Sequence, residues 1–146
     1  MPIIGITHFG RKRLKVLFFL TIRREEMTLT HLFKAQAIFA WLWVVMIWVT
    51  PEMAIQGTGW ELTPNLQSMF QFISVCFLIL GVISWMLPTW ASDNLKQVGM
   101  VAGVGLNALF LAITMYHVST EAANFDPLGA IPIAIFLVLF FWKSRA

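Results

Sequence analysis

The sequence predicts an all-α fold, an integral membrane four-helix bundle running up-down-up-down. Three observations predict it. The chain is 59% hydrophobic and only 12% charged, where a soluble domain usually carries about 25% charged residues. The charge deficit is gathered into four long apolar stretches rather than spread along the chain. The connections between those stretches are short, which sets neighbouring helices antiparallel.

The first stretch covers about residues 32–50 and stops at Pro51. It reaches the roughly 20 residues a spanning helix needs by including Leu32 and Phe33, with Lys34 snorkelling to the headgroups. The second covers about residues 69–87 and stops at Pro88, and the third covers about 98–118. The fourth, about 128–142, is shorter than a full span. It either extends back through Asp126 or sits in a locally thinned bilayer. Runs such as Val75–Leu80 and Ile135–Phe140 are apolar on every side. A barrel strand alternates apolar and polar residues, so these runs are helices, which satisfy their own backbone hydrogen bonds in lipid.

Turn chemistry and charge give the spans ends and a direction. Thr63-Pro64 and Asp126-Pro127 each read as an N-cap followed by proline at the first helical position. Ser92 or Asp93 is the expected cap of the third helix. Trp60, Trp90 and Trp142 fall at interface depth. The loop after the first helix carries Glu52 and Glu61, and the loop after the third carries Glu121 and Asp126. Neither has a lysine or arginine, whereas both termini are basic. Because Lys and Arg mark the cytoplasmic side, both termini are expected in the cytoplasm and the acidic loops outside, in the cell's inner (plasma) membrane.

Two units are expected, an extension over residues 1–26 and the four-span bundle over 27–146. In the extension, Arg11 to Lys15 and the run Val16–Leu20 resemble a signal peptide, but Arg23-Arg24-Glu25-Glu26 follows without a small-residue cleavage site. It reads either as an interfacial helix or as a segment ahead of a natural start at Met27. The single cysteine, Cys76, excludes an intrachain disulfide and a cysteine metal cluster. The basic residues cluster at the ends without a folded basic face, which argues against nucleic acid as a partner; the lipid bilayer is the expected one.

Polar residues within or beside the spans are the candidates for function. Asn107 lies near the bilayer midplane and needs a partner. It is either a ligand contact or one end of an interhelical hydrogen bond, with Trp41 and Trp43 at similar depth. Gln67, Gln71, Ser74, Gly81 and Trp85 form a near-helical stripe that lines a cavity or simply packs. The candidate ligand-binding set is Asn107, Ser74, Gln71 and Trp43. Gly99 and Gly103 form a G-x-x-x-G pair, either a seam for another membrane protein or close packing inside the bundle. His117, Glu121 and Asp126 are an outer-face cation candidate, although no metal-ligand spacing such as H-E-x-x-H is present. No catalytic residue, resident metal or cofactor is expected, because the chain has no nucleophile motif, no phosphate-cradling glycine loop and no paired carboxylates.

From Met27 onward the layout resembles bacterial four-helix inner-membrane proteins, DoxX-like in the loose sense. The resemblance rests on Pro51 closing the first helix, Leu62-Thr63-Pro64 before the second, Leu80-Gly81 and Trp85, and Asn107 in the third. The polar residue often found early in the second helix of such proteins is Gln67 or Gln71 here. The resemblance implies the fold and no particular activity. The leading functional expectation is a small non-enzymatic membrane protein in an accessory or scaffold role. The alternatives are a binder or carrier of a small hydrophobic molecule in an intrabundle cavity, and a membrane enzyme with an outer-face site at His117, Glu121 and Asp126.

Overall fold

A computed structural model describes residues 29–146, so the extension over residues 1–26 lies outside the described part. Five helices follow in order: α1 (Leu29–Val49), the short α2 (Pro51–Ile55), α3 (Pro64–Trp90), α4 (Ser92–Ser119) and α5 (Pro127–Arg145). Among the described residues there is no strand, and α1, α3, α4 and α5 are long and apolar enough to cross a membrane. The chain is therefore an all-α, multi-pass membrane protein.

Hydrogen bonds between the loops establish the antiparallel order. The Asn124 amide donates to the Thr58 carbonyl at 2.7 Å, and the Trp60 indole donates to the Ala122 carbonyl at 2.7 Å. The α2–α3 and α4–α5 connections thus meet at one end, termed the acidic end. At the opposite, basic end, Leu29 of α1, Leu95 of α4 and Phe140 of α5 share one buried cluster with Phe33. Successive spans therefore reverse direction.

Burial is the inverse of a soluble protein's. Phe72, Val49 and Leu109 point outward, 79%, 71% and 70% exposed. The buried side is rich in small and polar residues, among them Ala37, Ala40, Ala130, Ser74, Ser84, Gln36 and Asn107. Lipid gives helices no hydrophobic reason to associate, so they join where small residues allow close approach and where polar groups find partners. Gly99 and Gly103 serve this purpose inside the bundle. A Cβ on Gly103 would strike the Phe140 ring, and one on Gly99 would strike the Ser144 hydroxyl. Gly81 does the same on α3, facing the Trp41 indole.

Several boundaries differ from those read in the sequence. Helix α3 starts at Pro64, with Thr63 Oγ1 accepting from the Leu66 amide at 3.2 Å, and runs through Pro88 to Trp90. Proline lacks only one donor in the last turn, so the helix closes two residues beyond it. Ser92 and Asp93 do not cap α4; they form a 3-10 turn, and Ser92 Oγ bonds the Asp93 carboxylate at 3.3 Å. Helix α5 is a full 19 residues rather than a short span, about 28 Å long at 1.5 Å per residue. Asp126 caps it one residue earlier than expected, the C-terminal end runs on three residues to Arg145, and Pro132 is carried inside it. Finally, α4 contains a π-helical segment over Gly99–Val104 that nothing in the sequence pattern announced.

Candidate functional site

Helix α1 presents its inner face through Leu29, Phe33, Gln36, Ala37, Ala40 and Ile47, a 3.6-residue stripe. On α4 the inner stripe is Leu95, Gly99, Gly103 and Asn107. Near Ala40 and Asn107 both stripes turn small or polar, and the bundle does not close solid. A cavity of about 150 Å³ lies there. Its wall is mainly aromatic and aliphatic, including Phe39, Trp43, Phe70, Phe77 and Phe110, with the Phe77 and Phe110 rings stacked at 6.0 Å. Its amide-bearing lining residues are Gln36 and Asn107.

The two amides are in different states. Asn107 Nδ2 donates to the Gly103 carbonyl at 2.7 Å, one turn back in its own helix. The expected bond across to another helix is therefore not how Asn107 is satisfied. Instead it serves a carbonyl in the π segment, where a widened turn disturbs the regular ladder, and such segments occur often at functional sites. Gln36 is 6% exposed, and its Oε1 has no hydrogen-bond partner. Leaving a buried amide oxygen unpaired costs about 1–3 kcal/mol.

Two further hollows adjoin the cavity. Towards the acidic end a space of about 270 Å³ shares Trp43, Ala54, Phe70 and Phe77 with it and reaches Thr114, His117 and Asn124. The clasped loops border this space, with Gly57 and Gly59 at φ of 92° and 79° allowing their tight path. Towards the basic end a groove of about 300 Å³ between α1, α3 and α4 shares Gln36 and Leu80 with the cavity.

Of the residues expected from sequence, the structure brings Asn107 and Trp43 to the cavity. Ser74 and Gln71 stand apart from its wall. Ser74 Oγ accepts from the Trp48 indole at 2.9 Å and donates to the Gln71 carbonyl at 2.6 Å, an α1–α3 link. The outer-face cation candidate is not assembled. Both Asp126 oxygens cap α5, accepting from Leu128 and Gly129 amides at 2.9 and 3.0 Å. The His117 ring lies against Trp60 at 6.5 Å, and Glu121 is exposed in a turn with φ 57°. Among the described residues no group of three or more His, Cys, Asp or Glu could hold a metal ion.

Gln36 is the site residue that sequence reasoning passed over. The signal was present: an amide between Ala35 and Ala37 in an apolar run, on the helical stripe of Phe33 and Ala40. Two residues before it, Lys34 reaches out to the Trp85 ring at 5.1 Å. No protein-family model, no curated protein and no solved structure matches the chain, so the site is described from its own geometry.

Proposed function

We propose that this protein binds a small, mainly hydrophobic molecule inside the membrane, in the cavity between Gln36 and Asn107. The carrying observation is an apolar cavity at mid-bundle lined by Gln36 and Asn107, the first of which has a buried amide oxygen without a partner. Binding pockets are commonly of this kind, apolar with a few placed polar groups. A cavity of about this size in another protein's core accepts a single aromatic ring. The scaffold reading drew on the small residues of α4, and Gly99 and Gly103 face Phe140 and Ser144 of the same chain. An enzymatic outer face draws no support from Asp126, whose carboxylate is occupied by backbone amides. In this reading the protein sits in a cell's inner membrane with both termini in the cytoplasm, as the basic ends and acidic loops favour.

The test is a ¹⁹F NMR titration of the full chain in lipid nanodiscs with 4-fluorotoluene, against empty nanodiscs. Saturable binding is expected, and it should be lost in Ala40→Phe and weakened in Ala54→Leu, both of which grow into the cavity. Helical circular dichroism confirms that each variant is folded. Absence of saturable binding to the wild-type chain, or equal binding by both folded variants, refutes the reading.

A further inference from the structure

Gln36 sits at a threshold. It lines the central cavity, and it also lines the groove between α1, α3 and α4. The rim of that groove is lipid-facing: Ile83, Val101 and Leu109 are 41%, 69% and 70% exposed. The floor of the groove includes Gly105, and a Cβ built there meets nothing within 4 Å. Small residues at positions 102 and 105 thus line the same groove as Gln36 and leave room in it. At the acidic end the Trp60–Ala122 and Asn124–Thr58 hydrogen bonds tie the loops together, and a second hollow lined by Trp60, Phe70, Ile73 and His117 adjoins the space beside them.

The fully buried polar atom at the threshold is an oxygen. Gln36 Oε1 is an acceptor without a donor. Asn107 has already committed an amide proton to the Gly103 carbonyl. The group that would satisfy this buried oxygen is a hydrogen-bond donor. The remaining wall is rings and aliphatic chains, which favour a flat apolar body.

We infer that the ligand is a lipid-dissolved molecule with one aromatic ring and one hydrogen-bond donor, of the phenol class, which enters sideways from the bilayer past Gly105 and donates to Gln36 Oε1. This deepens the binding function proposed above and rests on it. A water-soluble ligand admitted at the acidic end is the competing route.

Two probes of matched shape separate the elements, 4-fluorophenol and 4-fluorotoluene, each titrated by ¹⁹F NMR into nanodiscs holding the full chain. Their affinity ratio cancels most of the difference in lipid partitioning when wild type and variant are compared in the same lipid. The phenol-over-toluene preference should fall about tenfold in Gln36→Leu, the loss expected when a buried acceptor loses its donor. Gln36→Met, similar in length, should give the same fall. Gly105→Leu fills the groove and leaves the central cavity alone. It should slow association of 4-fluorophenol at least severalfold, measured by ¹⁹F exchange spectroscopy, with helical content unchanged. A preference unchanged in both Gln36 variants overturns the assignment of the donor, and an unchanged association rate in folded Gly105→Leu overturns lateral entry. Binding of both probes with no such differences sinks this inference alone, whereas binding of neither sinks the cavity function beneath it.

Discussion

Gly103 and Gly105 lie two residues apart on α4, and the same substitution should act on them with opposite sign. An alanine Cβ at 103 lands on the Phe140 ring. That ring is 0% exposed, with Phe33 at 4.7 Å and Phe136 at 6.4 Å between centroids, so it has no free side to move into. Overpacking of this kind costs about 1–3 kcal/mol. Alanine recovers about 0.5–1 kcal/mol of helix propensity, leaving Gly103→Ala destabilised by up to about 2.5 kcal/mol. At 105 the Cβ enters open space, so only the favourable part remains and Gly105→Ala is stabilised by about 0.5–1 kcal/mol. The assay is reversible unfolding in mixed micelles of mild detergent and dodecyl sulfate, followed by circular dichroism. The two variants should bracket the wild type. Equal shifts of the same sign would refute the packing of α4 on α5 described above.

Other consequences of the structure can be checked in the same system. Asp126→Ala should lose about 1–2 kcal/mol because two α5 amides lose their acceptor, and Asp126→Asn, itself a good cap, should lose much less; unfolding midpoints of the pair decide this. A double-mutant cycle of Trp48→Phe and Ser74→Ala should give a coupling near 0.6 kcal/mol, the average for interhelical hydrogen bonds in membranes, and zero coupling would remove the α1–α3 link. In a Cys76→Ala background, Gln56→Cys should react with a membrane-impermeant maleimide added outside intact cells, whereas Ser92→Cys should react only after lysis. The reverse pattern would invert the proposed orientation.

The four spans were legible because a run of apolar residues in lipid has one low-cost solution, the helix, and Thr63-Pro64 and Asp126-Pro127 mark starts chemically. Helix ends without such marks were not: Pro88 removes a donor without breaking the last turn, and Asp93 accepts from Ser92 instead of capping. Asn107 was legible as a buried amide in need of a partner, but its acceptor, the Gly103 carbonyl, depends on a backbone irregularity with no composition of its own. Ser74 was legible as an inward residue; whether it faces a hollow or a tryptophan depends on how two helices meet. The cavity belongs to neither helix alone. It arises where small residues on facing stripes coincide, and a one-dimensional pattern does not contain that registry.

The π segment of α4 also sets the phase of the helix. From Leu95 to Asn107 an unbroken α-helix advances twelve residues at about 100° each, which would leave Asn107 about a third of a turn away from the meridian of Leu95. The widened turn over Gly99–Val104 absorbs one residue and takes back most of that drift. Leu95, Gly99, Gly103 and Asn107 consequently stay on one side at an even spacing of four. The two halves of α4 therefore act as coupled dials. Rewinding the segment to plain α geometry turns one half against the other by about 100°, so that either the glycines lose Phe140 and Ser144 or Asn107 leaves the hollow.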